Sequence, residues 1–288
     1  MRPVLEVARL RVDEGGVAQV DGLSLETAGE RVLLLAGPSV LFKAAAGIVR
    51  QRHGDLLTDG VPVTDAVRDR LLAGAPLDPP LPLAWKVAEY VGWSSRLVGH
   101  SSPDADRLTR DALGRLKLDA LANVKLRHVP LPARRALSVA AALATGATTL
   151  FLEDPLRGLP EDAARTFART LVRATAGLRT VLFAARAALS SPIAMDADEA
   201  VVLDGSVVLG QGAPAEVAAR DRCYALRLHG RGARFAQLAE QRGARVSGQG
   251  ATWTVDLGES LRVTDILDVA MASDTVILEL RPLAHAFA

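Results

Sequence analysis

The sequence predicts an α/β fold with a parallel core sheet, followed by a small C-terminal α/β domain. Apolar, strand-like runs alternate with helical segments, which is typical of a parallel sheet whose faces are covered by helices. The runs at 31–36 and 148–152 are almost continuously apolar, as buried parallel strands are. The length of 288 residues favours one large unit and one small one.

Composition excludes several classes of protein. Hydrophobic residues make up 49% and charged residues 23% of the chain, which is typical of a folded globular protein. A net charge of +1 provides no field for nucleic acid or an anionic membrane. The single cysteine, Cys223, excludes an internal disulfide and a cysteine-rich zinc site, and the histidines lack paired ligand spacing. We expect no nucleic-acid partner, no metal site and a reducing compartment, the cytoplasm.

The first 50 residues predict a β-rich segment followed by the first strand of the core sheet and a helix. Residues 4–12 and 23–26 have strand-forming composition, and the turn-forming pair Gly15–Gly16 lies between them. The buried strand at 31–36 ends in a Gly-Pro loop, and we expect a helix from about 40 to 50.

A helical subdomain is expected at about 83–145, after a proline-rich linker at 78–82. It contains several amphipathic segments and a further helix at 133–144. The elements that follow are a strand at 148–152, a helix at 161–174, a strand at 179–184 and a hairpin at 199–208. No stretch reaches the roughly 18 apolar residues of a membrane helix, so we expect no direct membrane insertion.

The end of the chain predicts a separate small domain. Its expected elements are helices at 235–242 and 263–271 and strands at 252–256 and 276–281. The pattern changes near residues 220 to 232, so we divide the chain into residues 1–220 and 221–288.

Short segments carry a family resemblance through their order and spacing, although none is specific alone. These segments are 5–7, 20–24, 33–38, 41–47, 150–155, 158–159, 202–205 and 212–216. Together they resemble the ATP-binding subunits of ABC transporters, particularly exporter-type ATPases with a C-terminal α/β extension. The resemblance implies an ABC-type P-loop NTPase-like fold with an N-terminal β-subdomain, a helical subdomain and the small C-terminal domain.

The phosphate loop of that family is altered here. Its pattern, G-x-x-x-x-G-K-[ST], cradles phosphates with backbone N–H groups and holds phosphate and magnesium with its lysine and hydroxyl. In a gapped alignment, residues 41–47 are the helix after the loop, and about five residues with the glycines, lysine and hydroxyl are missing. The short distance along the chain from Gly37 to Gly54 favours this alignment.

In the ungapped alternative, Ser39 lies within the loop and Lys43 takes the place of the P-loop lysine. Phe42 then replaces a glycine with a ring that fills the phosphate nest, and Ala44 replaces the magnesium-binding hydroxyl. Neither alignment leaves a competent loop, and we interpret Lys43 as an ordinary exposed helix lysine.

The resemblance also identifies other nucleotide contacts that are changed. Glu14 stands where an aromatic ring stacks on adenine, and Leu77 stands where a glutamine senses magnesium and the attacking water. Pro160 replaces a dimer-contacting aspartate, and Arg186 replaces the switch histidine. The signature loop corresponds to 129–133, whose prolines lack the N–H groups that contact the γ-phosphate.

The pair Glu153–Asp154 departs least from the family pattern, which has Asp first, for magnesium, and Glu second, to activate water. In swapped order the two carboxylates are each misplaced by one methylene, and this leaves slow hydrolysis as one alternative. The other is a strand-end pair that serves solvation or hydrogen bonding.

An aromatic cluster, Trp85, Tyr90 and Trp93, follows the proline-rich linker in a chain with only 4% aromatic residues. In the resembled family this region meets the transmembrane subunit, so the cluster is a candidate anchor for a partner. The alternative is that the three rings form the core of the helical subdomain.

These features together predict a catalytically inactive ABC-type subunit, without bound ATP or magnesium, held at the inner face of the membrane through partner proteins. The expected partners are a transmembrane permease-like subunit and a second ABC ATPase subunit, intact or a self-copy. The expected role is assembly, scaffolding or allosteric control. The alternatives are a weak ATPase that uses Lys43, Glu153 and Asp154, and an adaptor of an envelope or motility machine unrelated to transport.

Overall fold

The computed structural model describes residues 2–219, 222–258 and 261–287. The strands are β1 Glu6–Glu14, β2 Val17–Glu26, β3 Arg31–Leu35, β4 His53–Thr58, β5 Val61–Pro62, β6 Leu72–Ala75, β7 Thr149–Glu153, β8 Arg179–Ala184, β9 Glu199–Asp204, β10 Val207–Gly212, β11 Cys223–Gly230, β12 Arg245–Gln249, β13 Thr252–Asp256 and β14 Thr275–Pro282. The helices are α1 Ser39–Ala45, α2 Val63–Arg68, α3 Val87–Leu97, α4 Ser102–Arg115, α5 Leu131–Leu143, α6 Glu161–Ala174, α7 Pro192–Asp196, α8 Pro214–Ala218, α9 Gly232–Gln241 and α10 Val263–Ala272.

The central sheet has the strand order β10-β9-β3-β8-β7-β6. Strand β3 pairs in parallel with both β8 and β9, β7 pairs in parallel with β8 and β6, and only the β9–β10 hairpin is antiparallel. The predicted parallel α/β sheet is therefore confirmed. Because the strands run parallel, the residues that follow β3, β7 and β8 lie at one edge of the sheet, as in other open α/β sheets.

A second sheet, antiparallel with the order β2-β1-β4-β5, covers one side of helix α1. Five of the seven residues of α1 are buried, including Leu41 and Phe42, because the helix lies between the two sheets. The expected helix at 40–50 is too long: α1 ends at Ala45, and Gly47 follows with a left-handed φ of 71°. A glycine in this conformation ends a helix because it carries no Cβ to clash with the preceding turn.

Helices α3, α4 and α5 form the helical segment between β6 and β7. Glu89 starts α3 by accepting a hydrogen bond from the backbone N–H of Lys86 at 2.8 Å, and the hydroxyl of Ser101 caps α4. In the described part of the chain the longest helices have 14 residues, and none is both long and apolar enough to cross a membrane.

The last four strands form an antiparallel sheet of order β12-β13-β11-β14, with α9 and α10 packed on one face. The chain order β-α-β-β-α-β is that of a split βαβ fold. The sequence predicted β13, β14 and both helices but missed β11 and β12; the polar residues of β12 give no apolar alternation. The division between 220 and 221 falls outside the described residues and stays a prediction.

Phe42 anchors α1 in the core and provides a test of this packing. Its ring is fully buried and meets Phe183 edge-on, with the ring centroids 5.6 Å apart. We expect Phe42→Ala to lower the free energy of unfolding by about 3–5 kcal/mol, measured by urea denaturation. Ile48→Ala is the control: this side chain is 57% exposed, so its loss should cost less than about 0.5 kcal/mol. Similar losses for the two variants would contradict the packing described here.

Candidate functional site

The turn at the end of β3 is the centre of the candidate site. Only residues 36–38 separate β3 from α1, whereas a P-loop pattern spans eight positions before and into its helix. Ala36 has a left-handed φ of 58° and donates its N–H to the carbonyl of Ala184 at 3.0 Å. Pro38, the N-cap of α1, has no N–H, and Ser39 begins the helix with its side chain exposed. This short turn fits the gapped alignment.

The core packing of α1 favours the gapped alignment over the ungapped one. Phe42 and Ala44 are both 0% exposed, so neither side chain reaches the turn, and the phenyl ring of Phe42 fills the core rather than a phosphate nest. Phe42 and Ala44 point to different sides of α1, and both are buried because the helix is enclosed between two sheets.

Lys43 is not an ordinary exposed helix lysine. Its ammonium donates a hydrogen bond to the Glu14 carboxylate, with Nζ and Oε1 2.6 Å apart, and its side chain is 35% exposed. The hydrogen bond to Glu14 raises the pKa of Lys43 above its usual value. Lys43, the P-loop lysine of the ungapped alignment, and Glu14, which stands at the adenine-stacking position, thus neutralise each other.

Glu153 holds the loop that follows β6. Its carboxylate accepts a hydrogen bond from the backbone N–H of Leu77 at 2.9 Å. The hydroxyl of Ser138 on α5 donates to the carbonyl of Pro76 at 2.6 Å, so the same loop is also tied to the helical segment. The role of Glu153 observed here is the hydrogen-bonding role that the sequence left as one alternative.

Arg135 is a site residue that the sequence analysis missed. Its guanidinium donates to the carbonyl of Leu77 and to the carboxylate of Asp78, and its side chain is only 10% exposed. The available signal was the position of Arg135 just after the proline-rich segment that corresponds to the signature loop. Pro130 is the N-cap of α5 there and offers no N–H, and Pro160 stands in the same position before α6.

Asp154 lies at the end of β7 in a strained backbone conformation. Its φ is +36°, and its N–H donates to the carbonyl of Phe183 at 2.7 Å. One carboxylate oxygen is 3.4 Å from the N–H of Ala185. Burial raises the pKa of this carboxyl above its usual value, although the Ala185 N–H and the charges of Arg157 and Arg135 act in the opposite direction. Over the described residues, no group of three or more His, Cys, Asp or Glu side chains is arranged to hold a metal ion.

Arg186 follows β8 and is exposed at the same edge of the sheet. It forms no hydrogen bond or ion pair with any residue of the described ranges. It lines two cavities, one towards β14 and one towards α6. Gly37 lines the first of these, and Asp154 lines the second.

The aromatic cluster divides into a surface pair and an inward ring. Trp85 and Trp93 meet edge-on with their centroids 5.7 Å apart, and they are 36% and 44% exposed. Tyr90 is half-buried and packs against the core, and burial raises the pKa of its hydroxyl. The core interpretation therefore applies to Tyr90, and the partner anchor stays a prediction for the exposed pair Trp85 and Trp93.

Comparison with known proteins places this geometry in context. No protein-family model matches the chain. The chain is 29% identical, over 187 residues, to the ribose import ATP-binding protein RbsA 1 of Rubrobacter xylanophilus, covering 60% of this chain but only 37% of that protein. It is 27% identical to a putative ABC transporter ATP-binding protein of Halobacterium salinarum, covering 74% of this chain and 95% of that one.

Among solved structures, CbiO1 of Clostridium perfringens, part of the CbiONQ transporter complex, superimposes with a TM-score of 0.64 at 20% identity. The match covers 76% of this chain and 92% of that one. The ATP-binding cassette MJ1267 in its ADP conformation gives a TM-score of 0.63 at 16% identity, covering 75% and 95% of the two chains. The fold is that of an ABC ATPase domain. The relatives and structural neighbours described here are ATP-binding subunits of ABC transporters.

The raised pKa of Asp154 predicts a pH-dependent stability. A carboxyl whose pKa is higher in the folded protein favours the fold when protonated, and this contribution is lost as the pH rises through the folded pKa. Asp154→Asn removes the ionisation and tolerates a positive φ, so we expect a higher melting temperature than wild type at pH 7. The difference should vanish below about pH 3.8, where both side chains are neutral. Thermal unfolding by circular dichroism across this range checks it; a difference independent of pH contradicts it.

Proposed function

We propose that this chain is a catalytically inactive ABC ATPase-like subunit of a membrane transporter or envelope complex. The observation that carries the proposal is the turn of residues 36–38 between β3 and α1. A triphosphate cradle needs several successive backbone N–H groups aimed at the phosphates, and this turn contributes few, one of its members being Pro38. Helix α1 cannot move back to lengthen the turn without exposing Phe42 and its core neighbours.

The charges of the site support the same proposal. Lys43 is already paired with Glu14, and Glu153 already accepts the N–H of Leu77. Adenine stacking contributes about 1–3 kcal/mol and each charged hydrogen bond about 1.5–3 kcal/mol. A micromolar ligand has only about 8 kcal/mol of binding free energy. Losing the ring, the free lysine and the magnesium ligands therefore moves the dissociation constant to about millimolar or beyond.

An inactive subunit acts through its surface. The exposed pair Trp85–Trp93 offers an apolar anchor of the kind that dominates protein interfaces, and it supports contact with a permease-like subunit. A second ABC ATPase subunit, intact or a self-copy, completes the proposed assembly. In this proposal the chain lies in the cytoplasm, at the membrane only through these partners, and serves assembly, scaffolding or allosteric control.

Mg-ATP binding and hydrolysis test the inactivity directly. We expect no hydrolysis and no saturable calorimetric binding with the purified protein at about 1 mM Mg-ATP. If phosphate is released, Lys43→Ala and Glu153→Gln should be measured beside wild type. Hydrolysis lost in both variants would establish the weak ATPase instead and refute the proposal.

The tryptophan pair tests the partner. We expect affinity purification from detergent-solubilised membranes to recover a permease-like protein and an ATP-binding subunit with an intact P-loop, both identified by mass spectrometry. Trp85→Ala together with Trp93→Ala should reduce recovery at least tenfold, as expected for interface anchors of about 2 kcal/mol. Leu267→Ala, on the distant α10 and 52% exposed, is the matched control. Recovery of envelope or motility proteins without a permease supports the adaptor alternative and contradicts the transporter assignment.

A further inference from the structure

A small cavity adjoins Asp154 and Arg186, the positions where the resemblance places the second carboxylate of the strand-end pair and the switch histidine. It has a volume of about 230 Å³ and lies between α6, α7 and the ends of β7 and β8. Its walls are mainly apolar and include Leu156, Ala164, Ala168, Leu182 and Ile193. Because a liquid water occupies about 30 Å³, the cavity has the volume of about seven or eight waters; it has room for a small organic ligand but is smaller than most drug-sized sites.

The rim of the cavity carries one open positive charge and one open negative charge. Glu161 and Arg165 also line it, but they form an ion pair with each other at 2.9 Å and cancel. Arg186 has no partner within the ranges that the structure describes. Asp154 has one long hydrogen bond, from the N–H of Ala185 at 3.4 Å. A carboxylate in this state has unused acceptor capacity.

The two rim residues without a close charged partner, Asp154 and Arg186, are connected through Ala185. The Asp154 carboxylate contacts the backbone of Ala185, and Ala185 is the chain neighbour of Arg186. Both side chains line the same cavity. The positive φ of Asp154 is a further cost that the fold bears at this position, and such strain is concentrated at binding sites.

We propose that this cavity binds a small zwitterion with an apolar side chain, of the class of the aliphatic α-amino acids. The ammonium group of the ligand donates to Asp154, its carboxylate accepts from the guanidinium of Arg186, and its side chain packs on Leu182 and Ile193. A simple carboxylic acid leaves Asp154 without a donor, and a simple amine leaves Arg186 without an acceptor. The arrangement therefore selects a ligand with both charges.

Calorimetric titration of the purified full chain tests this site, with L-leucine as the probe. We expect saturable binding of leucine to the wild type. Binding of 4-methylpentanoate, which lacks the ammonium group, and of 3-methylbutylamine, which lacks the carboxylate, should be at least tenfold weaker. Leucine binding to Arg186→Gln should also be at least tenfold weaker, since this variant lacks the charged partner of the carboxylate. Arg169→Gln is the control, because Arg169 is exposed on α6, a helix that borders the cavity, but its side chain does not line the cavity. Its affinity should equal that of wild type.

A cavity-filling variant, Ala164→Leu, provides the second arm. Circular dichroism establishes that it is folded, and leucine binding should be lost because the added methyl groups occupy the ligand volume. Arg186→Gln alters an exposed side chain and keeps the test decisive if Ala164→Leu fails to fold. The proposal is overturned by the absence of saturable binding up to about 10 mM leucine, by equal affinity for the acid or the amine, or by unchanged binding in Arg186→Gln. No nucleotide is present in this titration, so its outcome is separate from the ATP measurements.

Discussion

The position of helix α1 is the constraint on which the rest of the site depends. The helix follows β3, which pairs in parallel with β8 and β9 near the middle of the central sheet, after a turn of residues 36–38. Five buried residues, including Phe42, pack it between two sheets; the Phe42 ring contacts Phe183, which in turn contacts Phe151. Close-packed interiors transmit even small shifts to their neighbours, so a longer turn requires repacking this core. The geometry of the turn is therefore a property of the fold and not of a flexible loop.

Around that turn, polar groups that could bind a ligand form hydrogen bonds or ion pairs with other residues of the chain. Lys43 pairs with Glu14, Glu153 accepts from Leu77, and Arg135 joins the loop after β6 to helix α5. Each contact satisfies a group that burial or partial burial would otherwise leave costly. The edge of the sheet is in this way stabilised without any ligand, which is consistent with a subunit that acts through its surfaces.

Much of the fold followed from sequence patterns. The strands β3, β7, β8 and β9 were predictable because they are short apolar runs followed by turn-forming or charged residues, and α6 was predictable because its buried face recurs every three to four residues. The end of α1 was not: Ile48 and Val49 continue an apolar pattern beyond Gly47, and the pattern alone does not show that these residues leave the helix. Strand β12 was missed because register in this part of the sheet is set by pairing with β13, and its own residues are polar.

The site was less predictable than the fold because its contacts join residues far apart in the chain. The sequence identified Glu14 and Lys43 separately, as two positions where the family pattern is changed, but their separation of 29 residues concealed that they form one ion pair. It missed Arg135, whose burial and contact with Asp78 come from the packing of α5 against the loop after β6. Comparison with a family pattern shows which nucleotide contacts are lost, but it does not show the contacts that the replacing residues form with each other.

Those new contacts distinguish Asp154 and Arg186 from the rest of the edge. Lys43, Glu153 and Arg135 have partners within the chain, whereas Arg186 has none among the described residues and the Asp154 carboxylate has a single long hydrogen bond. A fold that tolerates a partly buried, weakly hydrogen-bonded carboxylate and a left-handed backbone at the same residue bears two destabilising features at one position. Neither feature contributes to the contacts that hold α1, α5 or the loop after β6. A ligand that bridges Asp154 and Arg186 would give the weakly hydrogen-bonded carboxylate of Asp154 a charged donor. For this reason we place the proposed ligand in the cavity beside α6 rather than at the turn after β3.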